Sequence, residues 1–225
     1  MDFKDIIKEQ REELERIEKE ENIIDRIGLK ESKKALAYPN ILAILGIRRC
    51  GKSIFSWLLA KGHKFAYINF DDERLAGLKS EDLNKILESF YEMYGNVEFI
   101  ILDEIQNAEN WELFVNRLRR TKKIILTGSN SKLLSGELSS HLTGRYLDKI
   151  LFPFSFKEFL KLKGFKENPV YTTQEKAKIM KLLQDYLELG GFPEAYKFGG
   201  GMISRIYEDI LTKDILLRHK ITKRD

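Results

Sequence analysis

The sequence predicts an α/β domain built on a parallel sheet, followed by a smaller helical domain. Three observations carry this. Nearly wholly apolar runs at residues 41–45, 99–102 and 124–126 alternate with helix-like stretches, and a strand that is apolar throughout implies burial on both faces, as in a parallel sheet covered by helices. Between the first such run and the helix after it lies Gly46-Ile47-Arg48-Arg49-Cys50-Gly51-Lys52-Ser53. This fits the phosphate-loop pattern G-x-x-x-x-G-K-[ST] in the strand–loop–helix context that the pattern needs. After Pro153 the periodicity is helical only, which marks a boundary between two layer types.

The chain has 225 residues, 43% of them hydrophobic, room for one good-sized domain or for one plus a smaller companion. Charged residues make up 33%, yet the net charge is +4 with the signs mixed. The total therefore says little about nucleic acid, and Lys and Arg are scattered along the sequence rather than gathered. Cys50 is the only cysteine, so no intrachain disulfide forms and a reducing compartment is expected. No apolar run approaches ~18 residues and the N-terminus is charged, unlike a secretory signal. The expectation is a cytoplasmic protein with no membrane span.

Residues 2–27 read as one amphipathic helix, with Phe3, Ile7, Leu14, Ile17, Ile24 and Ile27 at helical spacing. Gln10 and Glu21 interrupt that stripe, which argues against a long coiled coil. The helix is expected to dock on its own domain or, alternatively, to bind a protein partner or a second copy. Gly28 is the expected stop. A short helix over 31–37 follows, and Tyr38-Pro39 enforces an extended entry into the first strand. Residues 65–70 read as a second strand. Residues 80–94 read as a helix capped by Ser80, with Leu83, Ile86, Leu87 and Phe90 on one face. Residues 111–120 read as another, with Leu113, Phe114 and Leu118 facing inward. A fifth strand is expected near 147–152, then helices over 155–163, 173–189 and 202–220, with a turn at 190–195. The expected divisions are an N-terminal segment at 1–37, a sheet domain at 38–152 and a helical domain at 153–225.

The chemistry is read from four places. In the loop, glycines let backbone N–H groups converge on phosphate oxygens while the following helix offers its positive end. Gly46, Ile47, Arg48, Arg49, Cys50, Gly51, Lys52, Ser53 and Ile54 are thus the candidate nucleotide cradle. Lys52 would reach the β- and γ-phosphates, and Ser53 would place its hydroxyl on Mg²⁺. Phe99-Ile100-Ile101-Leu102-Asp103-Glu104 has the form of a Walker B strand about fifty residues downstream. Asp103 would hold the metal and Glu104 would polarise the attacking water. Ser129 or Asn130, just past the strand at 123–127, is a candidate γ-phosphate or water sensor, or else caps the next helix. Arg145 is a candidate arginine finger, in cis or from a neighbouring subunit, or else an ordinary ion-pair partner. Tyr38, just before the first strand, is a candidate base contact. A P-loop kinase acting on a small molecule and a binding switch with negligible turnover remain alternatives to an ATPase.

Together, the loop, Tyr67-Ile68-Asn69-Phe70, Leu102-Asp103-Glu104-Ile105-Gln106, Thr127-Gly128-Ser129 and Leu142-Thr143-Gly144-Arg145-Tyr146 resemble archaeal and bacterial AAA+-type ATPases related to the signal-transduction ATPases. Residues 151–159 and Gly190-Gly191-Phe192-Pro193-Glu194 match as well, so the resemblance covers 38–220. It implies ATP and ADP as ligands with Mg²⁺, five parallel strands in the order 5-1-4-3-2, and a helical lid in which Gly191 and Pro193 touch the nucleotide. It also implies a C-terminal winged-helix and nuclease-like region, which this sequence, ending at Asp225, does not carry. Any DNA-related role is left open with it.

Overall fold

The structure, a computed structural model, describes residues 2–128, 142 and 144–212. It divides into two compact units. The first holds Met1–Glu21, Gly28–Gly46 and Lys52–Ile150, and the second Asn22–Ile27, Ile47–Gly51 and Leu151–Asp225. The second unit begins two residues before the expected boundary. It also takes in a stretch from the N-terminal segment and the middle of the phosphate loop, neither of which periodicity could assign.

The first unit is an all-parallel five-stranded sheet. Its strands are β1 (Ile41–Leu45), β2 (Phe65–Asn69), β3 (Phe99–Asp103), β4 (Lys123–Gly128) and β5 (Tyr146–Ile150), in the order β2-β3-β4-β1-β5. This is the expected order read from the other edge. Every residue of β1 and β3 is buried, as the apolar runs 41–45 and 99–102 require; Asp103, which ends β3, is the buried exception in chemistry. From β1 the chain crosses to the far edge at β2 and returns through β3 and β4. It then passes β1 to reach β5, so the order reverses beside the C-terminal end of β1. Ligands of open parallel sheets collect at such a reversal.

The helices among the described residues of this unit are α1 (Phe3–Glu20), α2 (Leu29–Ala35), α3 (Lys52–Ala60), α4 (Ser80–Tyr94) and α5 (Trp111–Leu118). On α4, Leu83, Ile86 and Phe90 enter the core, each burial contributing about 1.5–3 kcal/mol. The cap of α4 is Lys79 rather than Ser80, with the Lys79 amide donating to Asp82 Oδ2 at 3.1 Å. On α5, Trp111, Phe114, Val115 and Leu118 share the buried face, while Leu113 is 60% exposed. Leu113 falls two residues from Trp111, about 200° around the helix, so it faces outward and not inward as expected from the sequence.

The first helix ends at Glu20, seven residues short of expectation, because Glu21 is already extended. Its apolar face lies in its own unit: Phe3, Ile6 and Ile7 belong to the sheet's core. Those three side chains are thereby buried within the unit. Gln10, the polar break in the stripe, is buried against the end of β2. Its Nε2 donates to the Asn69 carbonyl at 3.1 Å and its Oε1 accepts from the Asn69 amide at 2.8 Å. Arg11 donates to the Phe65 carbonyl at 3.3 Å and stacks 3.8 Å over the Phe65 ring. The helix thus covers an edge strand whose open groups would otherwise invite another chain. Gln10 Nε2 also donates to Asp72 Oδ2 at 3.0 Å. The Arg74 guanidinium, helped by that amide, holds the Asp72 carboxyl at about 2 against a smaller opposing effect of burial. Gln10→Ala is expected to lower unfolding free energy by about 1–3 kcal/mol, since it strands buried groups at the β2 edge. Urea unfolding reads this, and an unchanged midpoint would mean the edge is satisfied without Gln10.

The second unit is helical: α6 (Phe156–Leu162), α7 (Thr173–Leu189), α8 (Pro193–Phe198) and α9 (Gly201–Asp209). Ser155 with Glu158 and Thr172 with Glu175 form reciprocal caps that start α6 and α7. The expected turn at 190–195 gives way to α8, because Pro193 suits a first helical position. Aromatic rings hold the unit: Phe159 stacks 4.7 Å from Tyr196 and lies 5.6 Å from Tyr186. Tyr186 donates to the Phe154 carbonyl at 2.7 Å. Among the described residues, no helix is long and apolar enough to cross a membrane.

Candidate functional site

In the first unit, the C-terminal ends of β3 and β4 and the first turn of α3 bring five side chains together. Lys52 opens α3 and is 5% exposed, its Nζ 3.1 Å from Glu104 Oε1. Asp103, the last residue of β3, is fully buried. Its carboxylate accepts from Tyr67 Oη at 2.7 Å, closely from Thr127 Oγ1, and from the Ser53 hydroxyl. Burial, and then the neighbouring charge of Glu104, push Asp103 above the usual carboxylate range, while the three hydroxyls pull the other way. Burial, and then the charge of Asp103, raise the Tyr67 phenol well above its ordinary value, so it remains a donor.

Glu104 follows in the left-handed conformation, with φ 51°, uncommon for a residue with a side chain. That twist turns its amide to Thr127 Oγ1 at 3.0 Å and its carboxylate back toward Lys52. Gln106 Nε2 donates to Glu104 Oε2 at 2.6 Å. Thr127 therefore bridges the acidic pair, accepting from one residue and donating to the other. The sequence alone does not pick out Thr127 or Tyr67 as site residues. The available signal was the neighbouring strands: a hydroxyl ending β4 and a tyrosine inside β2 both flank the acidic end of β3. The donor set suits Mg²⁺, a hard cation that takes oxygen ligands and keeps several waters. The Ser53 hydroxyl and the Asp103 carboxylate are already within hydrogen-bonding reach of each other.

In the second unit, the middle of the loop has its own setting. Arg49 takes φ 64° and forms ion pairs with Glu194, closely, and with Asp209 at 2.6 Å. Burial works against its charge, but the two carboxylates outweigh it and raise the guanidinium above its ordinary value. Arg26 Nη1 donates to the Cys50 carbonyl at 3.0 Å. Gly51 takes φ +95°, and a Cβ built there would stand 3.3 Å from Arg26 Nη1 and 3.9 Å from Pro193 Cγ. Pro193 thus sits beside the loop. Gly191 serves packing, since a Cβ there would lie 2.3 Å from the Phe154 carbonyl oxygen. Cys50 is buried, Ile47 is 40% exposed, and Gly46, Arg48 and Ile54 take their places along the loop and its flanks.

Two candidates are not brought to this site. Tyr38 precedes β1 and is 63% exposed. A five-residue strand of roughly 16 Å separates it from the loop, so its expected base contact is not met within the chain. Arg145 precedes β5 at the same end of the sheet. Its carbonyl accepts from the Ile41 amide at 3.0 Å and its Nη1 donates to Asn116 Oδ1 at 3.2 Å. It therefore does not reach its own chain's loop as a finger in cis. Ser129 and Asn130 lie outside the described residues.

A family description, AAA domain, matches residues 38–160. An uncharacterized protein of Methanocaldococcus jannaschii is 36% identical over 219 residues, which are 90% of this chain and 49% of that one. An uncharacterized protein of Haemophilus influenzae is 32% identical over 193 residues, 79% of this chain and 46% of that one. The chain thus spans about half the length of these curated relatives. Among solved structures, a Walker-type ATPase of Pyrococcus abyssi superposes with a TM-score of 0.55 at 18% identity, covering 88% of this chain and 77% of that one. At that identity the likeness is one of fold.

Proposed function

From a chain that belongs to the AAA domain family and has its P-loop ATPase fold, we propose a Mg²⁺-dependent ATPase that works as a nucleotide-driven switch or motor. The observation that carries this is the Lys52–Glu104 pair at 3.1 Å beside the buried Asp103. Lys52 and the loop amides would stabilise phosphate charge. Ser53 and Asp103 would hold Mg²⁺, which would supply charge neutralisation to the phosphates. Glu104 would orient water and accept its proton. A triphosphate that draws Lys52 away frees Glu104 Oε1 for that water, so the base becomes competent when the nucleotide is seated.

The ion pairs of Arg49 with Glu194 and Asp209 favour a switching role, because a change in the loop's charge would be felt by the helical unit. Glu194 follows Pro193, the candidate lid contact.

Steady-state phosphate release with ATP and Mg²⁺, measured across protein concentration, tests the reading. Turnover that needs Mg²⁺ and no acceptor molecule is expected. Tight binding without turnover would leave a switch, and turnover only with an added acceptor would make it a kinase. A rate per chain that rises with concentration would indicate a site completed by a second copy, where Arg145 would act in trans. Lys52→Ala is expected to abolish the ATP-induced rise in melting temperature. A rise equal to wild type would remove the loop from nucleotide binding.

A further inference from the structure

The parallel sheet gathers the loops before β1, β2, β3 and β4 at one edge, the end away from the acidic pair. An open groove of about 540 Å³ runs there. Residues that are scattered in sequence meet in it: Tyr38 before β1, Lys64 before β2, and Arg119, Arg120, Lys122 and Lys123 before β4. Five cationic side chains therefore line the groove against one carboxylate, Glu98. We propose that this groove binds single-stranded nucleic acid.

The positive charge is not used up locally. Glu98 is shared between His63 Nδ1 at 2.9 Å and Lys123 Nζ at 3.5 Å. Lys122 Nζ donates to the Val97 carbonyl at 2.9 Å and closely to Asn96, neither of which carries a charge. Arg119 Nε donates to Asn116 Oδ1 at 3.0 Å, again neutral. Lys64 and Arg120 are exposed, and among the described residues their side chains make no hydrogen bond or ion pair. The C-terminus of α5 lies just before Arg119, and a helix end carries about half a negative charge. That offsets part of one cation and Glu98 offsets another, which leaves the groove with a net positive charge. An anion of several charges is what such a surface attracts.

Tyr38 separates nucleic acid from an acidic peptide. Its ring stands 63% exposed beside the cations. Cations tracking a phosphate backbone beside an exposed aromatic ring are the recognition elements of an unpaired strand, whose bases stack on side-chain rings and guanidinium planes. A run of carboxylates needs the charge but has no use for the ring. The groove is open, so a chain can pass through it, and it lies at the opposite strand ends from Lys52 and Glu104. The inference therefore stands or falls separately from the ATPase reading.

The test is fluorescence anisotropy of labelled oligothymidylate titrated with the full chain at several salt concentrations. Binding is expected, with log K falling linearly with log salt by about 0.7 per phosphate contacted. The double variant Lys64→Glu, Arg120→Glu should bind at least tenfold more weakly and show a slope shallower by about 1.4, two contacts' worth. Its melting temperature and ATP-induced shift should match wild type. If the reversals perturb folding, Lys64→Gln with Arg120→Gln makes the same comparison. Tyr38→Ala should weaken binding about tenfold through lost stacking, with the salt slope kept. The proposal is overturned by no binding at low salt, by equal affinity in the charge variants, or by Tyr38→Ala binding as wild type does. Polyglutamate displacing the oligonucleotide at equal charge concentration would also overturn it and assign the groove to an acidic protein.

Discussion

Glu104→Gln is expected to bind ATP as well as or better than wild type and to release phosphate at least about a hundredfold more slowly, the usual worth of a positioned general base. The shape is kept: glutamine fills the same space, and its carbonyl oxygen can still accept from Gln106 Nε2, which lies 2.6 Å from Glu104 Oε2. What is lost is the ability to take a proton from water. The substitution also removes the Glu104 charge from beside Lys52, which is 5% exposed and 3.1 Å from Glu104. Burying a cation beside less opposite charge is costly, so the nucleotide-free variant should melt earlier, and the triphosphate should restore more stability than it adds to wild type. Phosphate release and melting temperature with and without ATP read both halves. Wild-type turnover would take Glu104 out of the mechanism.

Arg26→Ala is expected to cost about 3–5 kcal/mol, the effect of removing one partner from a buried pair. Arg26 Nε donates to Glu158 Oε1 at 2.7 Å, with both side chains almost wholly buried. Its Nη2 donates to the Phe152 carbonyl at 2.7 Å and its Nη1 to the Cys50 carbonyl, while the guanidinium lies 4.6 Å from the Phe154 ring. Burial alone would raise the Glu158 carboxyl, but the amides of Ser155 and Ile27 and the Arg26 guanidinium outweigh it and hold the group below its ordinary value. A folded value below the unfolded one means that this stabilisation is present above the unfolded value, near 4.3. It is lost as pH falls through the folded value. Urea unfolding at neutral pH should show the large loss, and the wild-type margin over the variant should shrink under acid conditions. A loss under about 1 kcal/mol, the range of exposed pairs, would show that the pair is not the anchor its burial indicates. Arg26→Lys should recover only part, because an ammonium lacks the planar fork that reaches three acceptors at once.

Much of the site was legible because its parts are local in the chain. Gly46 through Ser53 is a contiguous pattern whose glycines and lysine need no distant residue to be recognised. Asp103 and Glu104 end an apolar run long enough to be a buried strand. The roles that were not legible belong to residues defined by register. Thr127 matters because β4 lies beside β3, and Tyr67 because β2 lies on its other side. Arg26 sits in a stretch whose apolar spacing continues the first helix. The chain leaves the helix at Glu21, and the guanidinium then meets a carboxylate 132 residues away. Tyr38 and Arg145 stand apart from the loop for the complementary reason: each lies near a strand in sequence, but at the start of it, a strand's length from the acidic pair.

By itself, then, the sequence determined the strand and helix pattern, the phosphate loop and the acidic pair, because periodicity and short motifs act through the backbone within a few residues. Tertiary structure alone decided that Gln10 covers a sheet edge, that Arg26 supports the loop carbonyl of Cys50, that Thr127 ties the two acids together and that five dispersed cations form one groove. Each of these depends on strand order and register, which bring together residues far apart in the chain, and no local pattern carries that information.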